Sequence, residues 1–210
     1  MAYNYLDLNL NLSKEDELFK ASVREFAQKE LREPSLELDK MSDPRDVVKE
    51  DSVFWKVQRK IRMMDYHTAL IPEALGGLGL TPLQYHIFME ELSVASVGLA
   101  LITMVDCFPA VLAAKSGRKD LMDEFLVPYV EDKEAKIAGC WCGTEPDVGS
   151  DLVLTTNENY SNPDIQFTTT AKLEGDTYIV NGQKAAWVSN GPAATVSVSV
   201  RMVAIDSARG

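Results

Sequence analysis

The sequence predicts an α+β chain: an N-terminal all-α bundle over 1–138, followed by the start of an antiparallel β-barrel-like domain over 139–210. Three observations predict it. Up to Val127, apolar residues recur at three- and four-residue spacing, which lines one face of a helix. After Gly139, β-branched residues cluster and alternate instead. The 210 residues, 46% of them hydrophobic, are enough for one full domain and a second, incomplete one.

Each element has a local reason. Ser13 is a helix N-cap, and Glu15 and Asp16 suit the positive helix end. Phe19, Val23, Phe26 and Ala27 follow at helical spacing, and Pro34 is expected to stop that helix. Residues 41–50 are polar and read as a loop. A second helix sets Phe54, Val57, Ile61 and Met64 on one face, and His67 after it takes a surface or core role. Gly76, Gly77 and Gly79 mark a flexible turn. A phosphate loop fails here, because no strand precedes it and no Lys-Ser/Thr pair follows. Thr81 caps the next helix with Pro82 at its first position, and Tyr85, Phe88, Met89 and Leu92 form its apolar face. Glu90 and Glu91 are adjacent on that helix and cannot share a proton, so a solvated or ion-paired face is expected. From Ala95 to Ala114 the pattern is apolar nearly all round, as in a buried helix. A further helix runs from Lys119 to Val127 and is expected to end near Pro128.

In the second half, strands are expected over Thr168–Ala171, Thr177–Val180 and Val196–Met202. Asn181-Gly182 is a strong hairpin signal. The polar stretch Asn157–Pro163 reads as a protruding loop.

Composition excludes several classes. Lys and Arg total 21 against 32 Asp and Glu, a formal net charge of -11. That balance repels phosphate backbones, so no nucleic acid partner is expected, and an anionic coenzyme would need a local basic patch. Cys107, Cys140 and Cys142 do not make a disulfide framework. Cys140-x-Cys142 lacks a second ligand pair, so no metal site is expected and two thiols of one strand is the favoured reading. The N-terminus has no basic region followed by an apolar core. The apolar patch from Val97 to Val105, closed by Asp106 and Pro109, is too short for a membrane span. A cytoplasmic protein is the simplest expectation, with the mitochondrial matrix as the alternative.

Two segments carry the chemistry. Trp141-Cys142-Gly143-Thr144-Glu145-Pro146-Asp147-Val148-Gly149-Ser150-Asp151 joins the two halves and combines a ring, hydroxyls, glycines and a stiffening proline. Its backbone and hydroxyls suit a polar, anionic or heterocyclic ligand; an ordinary ordered turn is the competing reading. In Gly182-Gln183-Lys184-Ala185-Ala186-Trp187-Val188-Ser189-Asn190, Trp187 and Ser189 lie two apart, on one side of a strand. A large ring beside a hydroxyl is a platform for a planar heterocycle; a core tryptophan is the competing reading.

These two segments, with Ile71-Pro72-Glu73-Ala74-Leu75-Gly76-Gly77-Leu78-Gly79-Leu80 and Glu90-Glu91-Leu92 upstream, resemble the acyl-CoA dehydrogenase flavoproteins. The resemblance implies FAD and oxidation of an acyl-CoA thioester to its 2,3-enoyl form, with electron-transferring flavoprotein as electron acceptor. It implies that Trp141, Cys142, Thr144, Gly149 and Ser150 meet the flavin and its phosphates. Trp187 would cover a ring face, Val188 would flank it, and Ser189 would offer a hydroxyl near N5. Ser150 and Met104 are implied on the acyl-CoA side. Asp147 and Val148 depart from the family loop, where small residues are usual. The family's C-terminal four-helix domain, with its catalytic glutamate, is not in this sequence, so no catalytic base is assigned here. A homo-oligomer, or a second chain completing the fold, is expected. The alternatives are a complementing, non-catalytic subunit and an acyl-CoA oxidase.

Overall fold

A computed structural model describes residues 11–149, 155–156, 160, 168–185, 188–189, 191–192 and 198–203, the last six by backbone only. Helix α1 (Lys14–Phe26) opens as expected, with the Ser13 side chain accepting from the Asp16 amide. Pro34 does not stop the helical run. A wide π turn (Ala27–Leu31) intervenes, and α2 (Arg32–Asp39) carries Pro34 in its first turn. The broken register leaves no tight i→i−4 ladder for the proline to interrupt. The same device recurs at Pro128. Helix α7 (Lys119–Leu121) enters a π turn (Met122–Leu126), and α8 (Val127–Glu131) continues through the proline. Both expected stops are therefore corrected.

Helix α3 (Val53–Met63) buries Phe54, Val57 and Ile61 as its spacing predicts, but Met64 caps the helix and is exposed. Helix α4 (Pro82–Ala95) starts at a Thr81–Gln84 capping box and buries Phe88 and Leu92. Glu91 is not solvated: it is 2% exposed and accepts from Arg24 Nε and Nη2 at 2.9 and 2.8 Å, an ion pair tying α4 to α1. Val23, Leu31, Phe54, Ile61, Phe88, Leu92 and Leu99 form the main core.

The glycine turn is pinned rather than flexible. Gly79 N–H donates to Ile71 O (2.8 Å) and Leu80 N–H to Ala69 O (3.2 Å). A Cβ on Gly77 would sit 2.0 Å from Ile71 O, so only glycine allows this approach.

Helices α5 (Val97–Asp106) and α6 (Phe108–Ser116) meet at a corner around Cys107. Together they make a run, Val97–Ser116, that is long and apolar enough to cross a membrane by length and composition. The sequence expectation of a shorter patch is corrected, because Asp106 and Pro109 do not end the run. In this fold the corner is core. Asp106, 4% exposed, pairs with Arg62 of α3, and the corner packs on the first strand, β1 (Ile137–Cys142).

Among the described residues there are two two-stranded sheets. Strands β2 (Thr170–Glu174) and β3 (Thr177–Asn181) form an antiparallel hairpin, and β1 pairs in parallel with β4 (Val198–Val203). The hairpin turns at Gly175-Asp176, not at Asn181-Gly182. Gly182 follows β3 at φ 147°, and a Cβ there would lie 2.4 Å from Thr169 Cα. The Asn-Gly dipeptide serves a close backbone crossing, which local sequence cannot distinguish from a turn. The stretch expected to protrude, Asn157–Pro163, lies outside the described residues except Tyr160.

Candidate functional site

The site grows from the edge of β1. Ala138, Gly139 and Cys140 are buried, and Trp141 is the first residue of the strand to emerge, at 37% exposure. Phe108, at the start of α6, stands edge-on to the Trp141 indole, with centroids 5.9 Å apart at 90°. Gly143 lies under the indole: a Cβ there would meet Trp141 Nε1 at 2.5 Å. Cys142 points back into the interior beside Cys140, with their sulfurs 3.7 Å apart, as two thiols on one strand face. No group of three or more metal-ligating side chains occurs among the described residues.

After β1 the chain folds into a tight turn. Glu145 N–H donates to Val148 O (2.8 Å) and Val148 N–H returns to Glu145 O (3.3 Å). Pro146 occupies the second turn position, where its fixed φ is favoured. Asp147 is exposed at the tip, so its extra charge faces solvent. Val148 is buried.

The two chemistry-bearing segments meet. Trp141 and Val188 exchange both backbone bonds, N–H to O at 3.0 and 3.1 Å. Ala185 N–H donates to Thr144 O (2.8 Å). Lys184 Nζ reaches Gly143 O (3.3 Å) and Glu145 Oε1 (2.8 Å). Glu145 also accepts from Thr168 N–H (2.5 Å), Thr168 Oγ1 (2.7 Å) and Thr169 N–H (3.0 Å). Burial alone pushes this carboxyl up. The hydrogen bonds from Lys184, Thr169 and Thr168 outweigh that and hold it well below the usual carboxylate range. A carboxylate so held is a poor proton acceptor and a strong fastener.

Ser189 sits at φ 63°, left-handed for a non-glycine residue. Its Oγ is buried and has no hydrogen-bond partner among the described residues. A buried hydroxyl without a partner calls for an explanation, and a bound group is one. Of the residues singled out in the sequence, Trp141, Cys142, Thr144, Gly149, Val188 and Ser189 thus lie on two joined segments. Ser150 and Trp187 lie outside the described residues. Met104, half-buried on α5, is four residues before Phe108 and its carbonyl accepts from Cys107 Sγ (3.1 Å).

Sequence reasoning missed the fasteners: Glu145, Lys184, Arg62, Asp106 and Tyr129. One signal was available for two of them. Asp106 ends a run of fourteen residues without a charge, and Arg62 follows Ile61 on a face that is otherwise core. A lone charge in such a place needs a partner.

The family model described as "Acyl-CoA dehydrogenase, N-terminal domain" matches residues 13–133, more than half of the chain. The chain belongs to the acyl-CoA dehydrogenase family. It is 28% identical over 193 residues to the human mitochondrial short-chain specific acyl-CoA dehydrogenase, covering 90% of this chain and 40% of that protein. It is 29% identical over 199 residues to the short-chain specific acyl-CoA dehydrogenase of Clostridium acetobutylicum, covering 93% and 45%. This member of the family thus spans less than half the length of these relatives. Solved structures share the fold. PigA with FAD and proline superposes at a TM-score of 0.70 with 20% identity, covering 97% of this chain and 47% of that one. A chain from a study of the electron transferring flavoprotein of Acidaminococcus fermentans superposes at 0.62 with 26% identity, covering 87% and 42%.

Proposed function

We propose that this chain forms the N-terminal helical and middle β portions (1–138 and 139–210) of an FAD-dependent acyl-CoA dehydrogenase. The observation that carries the reading is the reciprocal Trp141–Val188 pairing, which sets an exposed indole and a Ser189 hydroxyl without a partner among the described residues on joined segments. The residues present fit a flavin: a flat apolar surface at Trp141, a hydroxyl at Ser189 without a partner among the described residues, and glycine at 143 and 149 for close approach. The described part of the site also places Lys184 inside an otherwise acidic chain.

FAD, when bound, supplies the acceptor for the hydride leaving the acyl β-carbon. The protein's residues position and tune. Trp141 covers part of the ring, with Gly143 leaving room beneath the indole. Cys142, Thr144 and Gly149 shape the loop that the flavin and its phosphates meet, and Ser150 continues it. Val188 holds the second segment, Trp187 offers a second ring, and Ser189 donates its hydroxyl toward the flavin. Met104 and Ser150 are the residues assigned to the acyl-CoA. Glu145 is not the base that removes the α-proton, because four hydrogen bonds commit it to the ionised, fastening role. The substrate class is an acyl-CoA, with short chains suggested by the relatives. Electrons leave to an electron-transferring flavoprotein, and the enzyme works in the cytoplasm or, like the human relative, in a mitochondrion. Its protein partner is a second copy of the same chain or a different chain.

The test is direct. The purified protein, alone and with companion polypeptide from the same source, is reconstituted with FAD and dialysed. Retained yellow colour, bleached by acyl-CoA without oxygen, is expected. Bleaching coupled to peroxide formation in air marks an oxidase instead. A colourless protein that retains no flavin under either condition overturns the reading.

A further inference from the structure

The flavin reading assigns the indole and the hydroxyl but does not say what holds the strand that carries them. We propose that Asp106, braced by Arg62 and Tyr129, is a positioning residue for that site, setting the register of β1 against the helical bundle and thereby the pose of Trp141. This rests on the proposed flavin site for its purpose, though not for its geometry.

Asp106 closes α5 and is fully enclosed. Its Oδ1 accepts from the Gly139 amide at 2.7 Å. Its Oδ2 accepts from Arg62 Nη2 at 2.8 Å and from Tyr129 Oη at 2.9 Å. The same Arg62 Nη2 donates to Ile137 O at 2.5 Å, and Nη1 lies 3.4 Å from Asp132 Oδ2. Asp132 in turn accepts from the Ile137 amide at 2.8 Å. The backbone of β1 is thus gripped at Ile137 and Gly139 by side chains from α3, the α5–α6 corner and the segment after α8.

Two further contacts make the grip a matter of register. Gly139 has no room for a side chain: a Cβ would stand 2.2 Å from Asp106 O and 2.7 Å from Pro109 Cδ. Phe108, two residues after Asp106, meets Trp141, two residues after Gly139. One helix corner therefore touches the strand twice, by carboxylate at 139 and by ring at 141. On a strand, residues two apart share a face. Loosening the first contact frees the second. Buried donors and acceptors are costly to leave unpaired, so the bonds of this network form or fail together.

The test uses the whole protein carrying Asp106→Asn or Tyr129→Phe. Asn keeps the Gly139 acceptor and weakens the Arg62 bond; Phe removes a single donor and is the milder change if D106N fails to fold. Two quantities are read on folded material: the FAD dissociation constant, and the chemical shift of the Trp141 indole N–H, assigned by Trp141→Phe. We expect a shifted indole resonance in both variants and FAD binding weakened roughly tenfold, with a cooperative melt retained. Shifted indole with no FAD binding even in the unaltered protein supports the positioning role and removes the flavin reading. Folded variants whose indole resonance and FAD affinity match the unaltered protein overturn the positioning role, even if their melting temperature falls.

Discussion

Lys184 Nζ lies 2.8 Å from Glu145 Oε1, joining two segments 39 residues apart, with side chains only 4% and 0% exposed. The pair is the fastener between the two halves of the candidate site. A buried charge stripped of its partner is costly, so Lys184→Met should destabilise the β portion by about 3–5 kcal/mol. Urea unfolding measures it, and Glu145→Gln added to Lys184→Met should recover part of the loss. The folded carboxyl sits below its ordinary range, so its stabilisation is present above that range and is lost as acid protonates the unfolded chain.

Ser189→Ala separates folding from binding. Its hydroxyl has no partner among the described residues, so removing it should leave stability within about 0.5 kcal/mol or raise it slightly. FAD affinity should fall about tenfold, the equivalent of one hydrogen bond worth about 1.4 kcal/mol. Unchanged affinity by titration removes Ser189 from the site.

The glycines of the site should respond in opposite ways. Gly139→Ala places a methyl 2.2 Å from Asp106 O and should lower stability by about 1–3 kcal/mol or more. Gly149→Ala meets only Thr144 Cγ2, at 3.4 Å, an ordinary contact. Its melting temperature should stay nearly constant while FAD retention falls. Loss of folding in G149A, or full FAD retention, contradicts the role given to Gly149.

His67 is a buried acid sensor of stability. Burial first, then the charges of Arg62 and Lys133, push its pKa from 6.5 down to about 3, against weaker help from Asp65 and the Val130 backbone. The unfolded chain takes up a proton below 6.5 that the folded protein refuses. Stability from this residue is therefore whole above 6.5 and declines as pH falls toward 3, by about 2 kcal/mol between about pH 7.5 and about pH 5. Apart from the weak approach of the Val130 backbone, neither ring nitrogen makes a hydrogen bond of ordinary geometry among the described residues, so His67→Phe should be tolerated at neutral pH. Denaturation curves across that window should diverge between the two proteins; parallel curves would falsify the assignment.

Local chemistry made much of the fold legible. The Ser13 and Thr81 caps, the buried positions of α3 and α4, and the change from helix to strand near residue 138 all depend on nearest neighbours and periodicity. The same reasoning misplaced Pro34 and Pro128. A preceding π turn alters the ladder a proline would break, and no residue type announces one. It also assigned Asn181-Gly182 to a hairpin, because a glycine needed for a crossing at Thr169 looks locally like one needed for a turn.

For the site, the order of residues was sufficient to name both segments, since side-chain types and their spacing along one strand or loop are properties of the chain alone. Their union was not. Whether Trp141 meets Val188, whether Lys184 finds Glu145, and whether Asp106 reaches Gly139 depend on which surfaces are brought within about 3 Å after the bundle closes. Hydrogen bonds are that short-ranged and that directional, so pairings across 33 to 47 residues belong to the packed molecule and not to any stretch of its sequence.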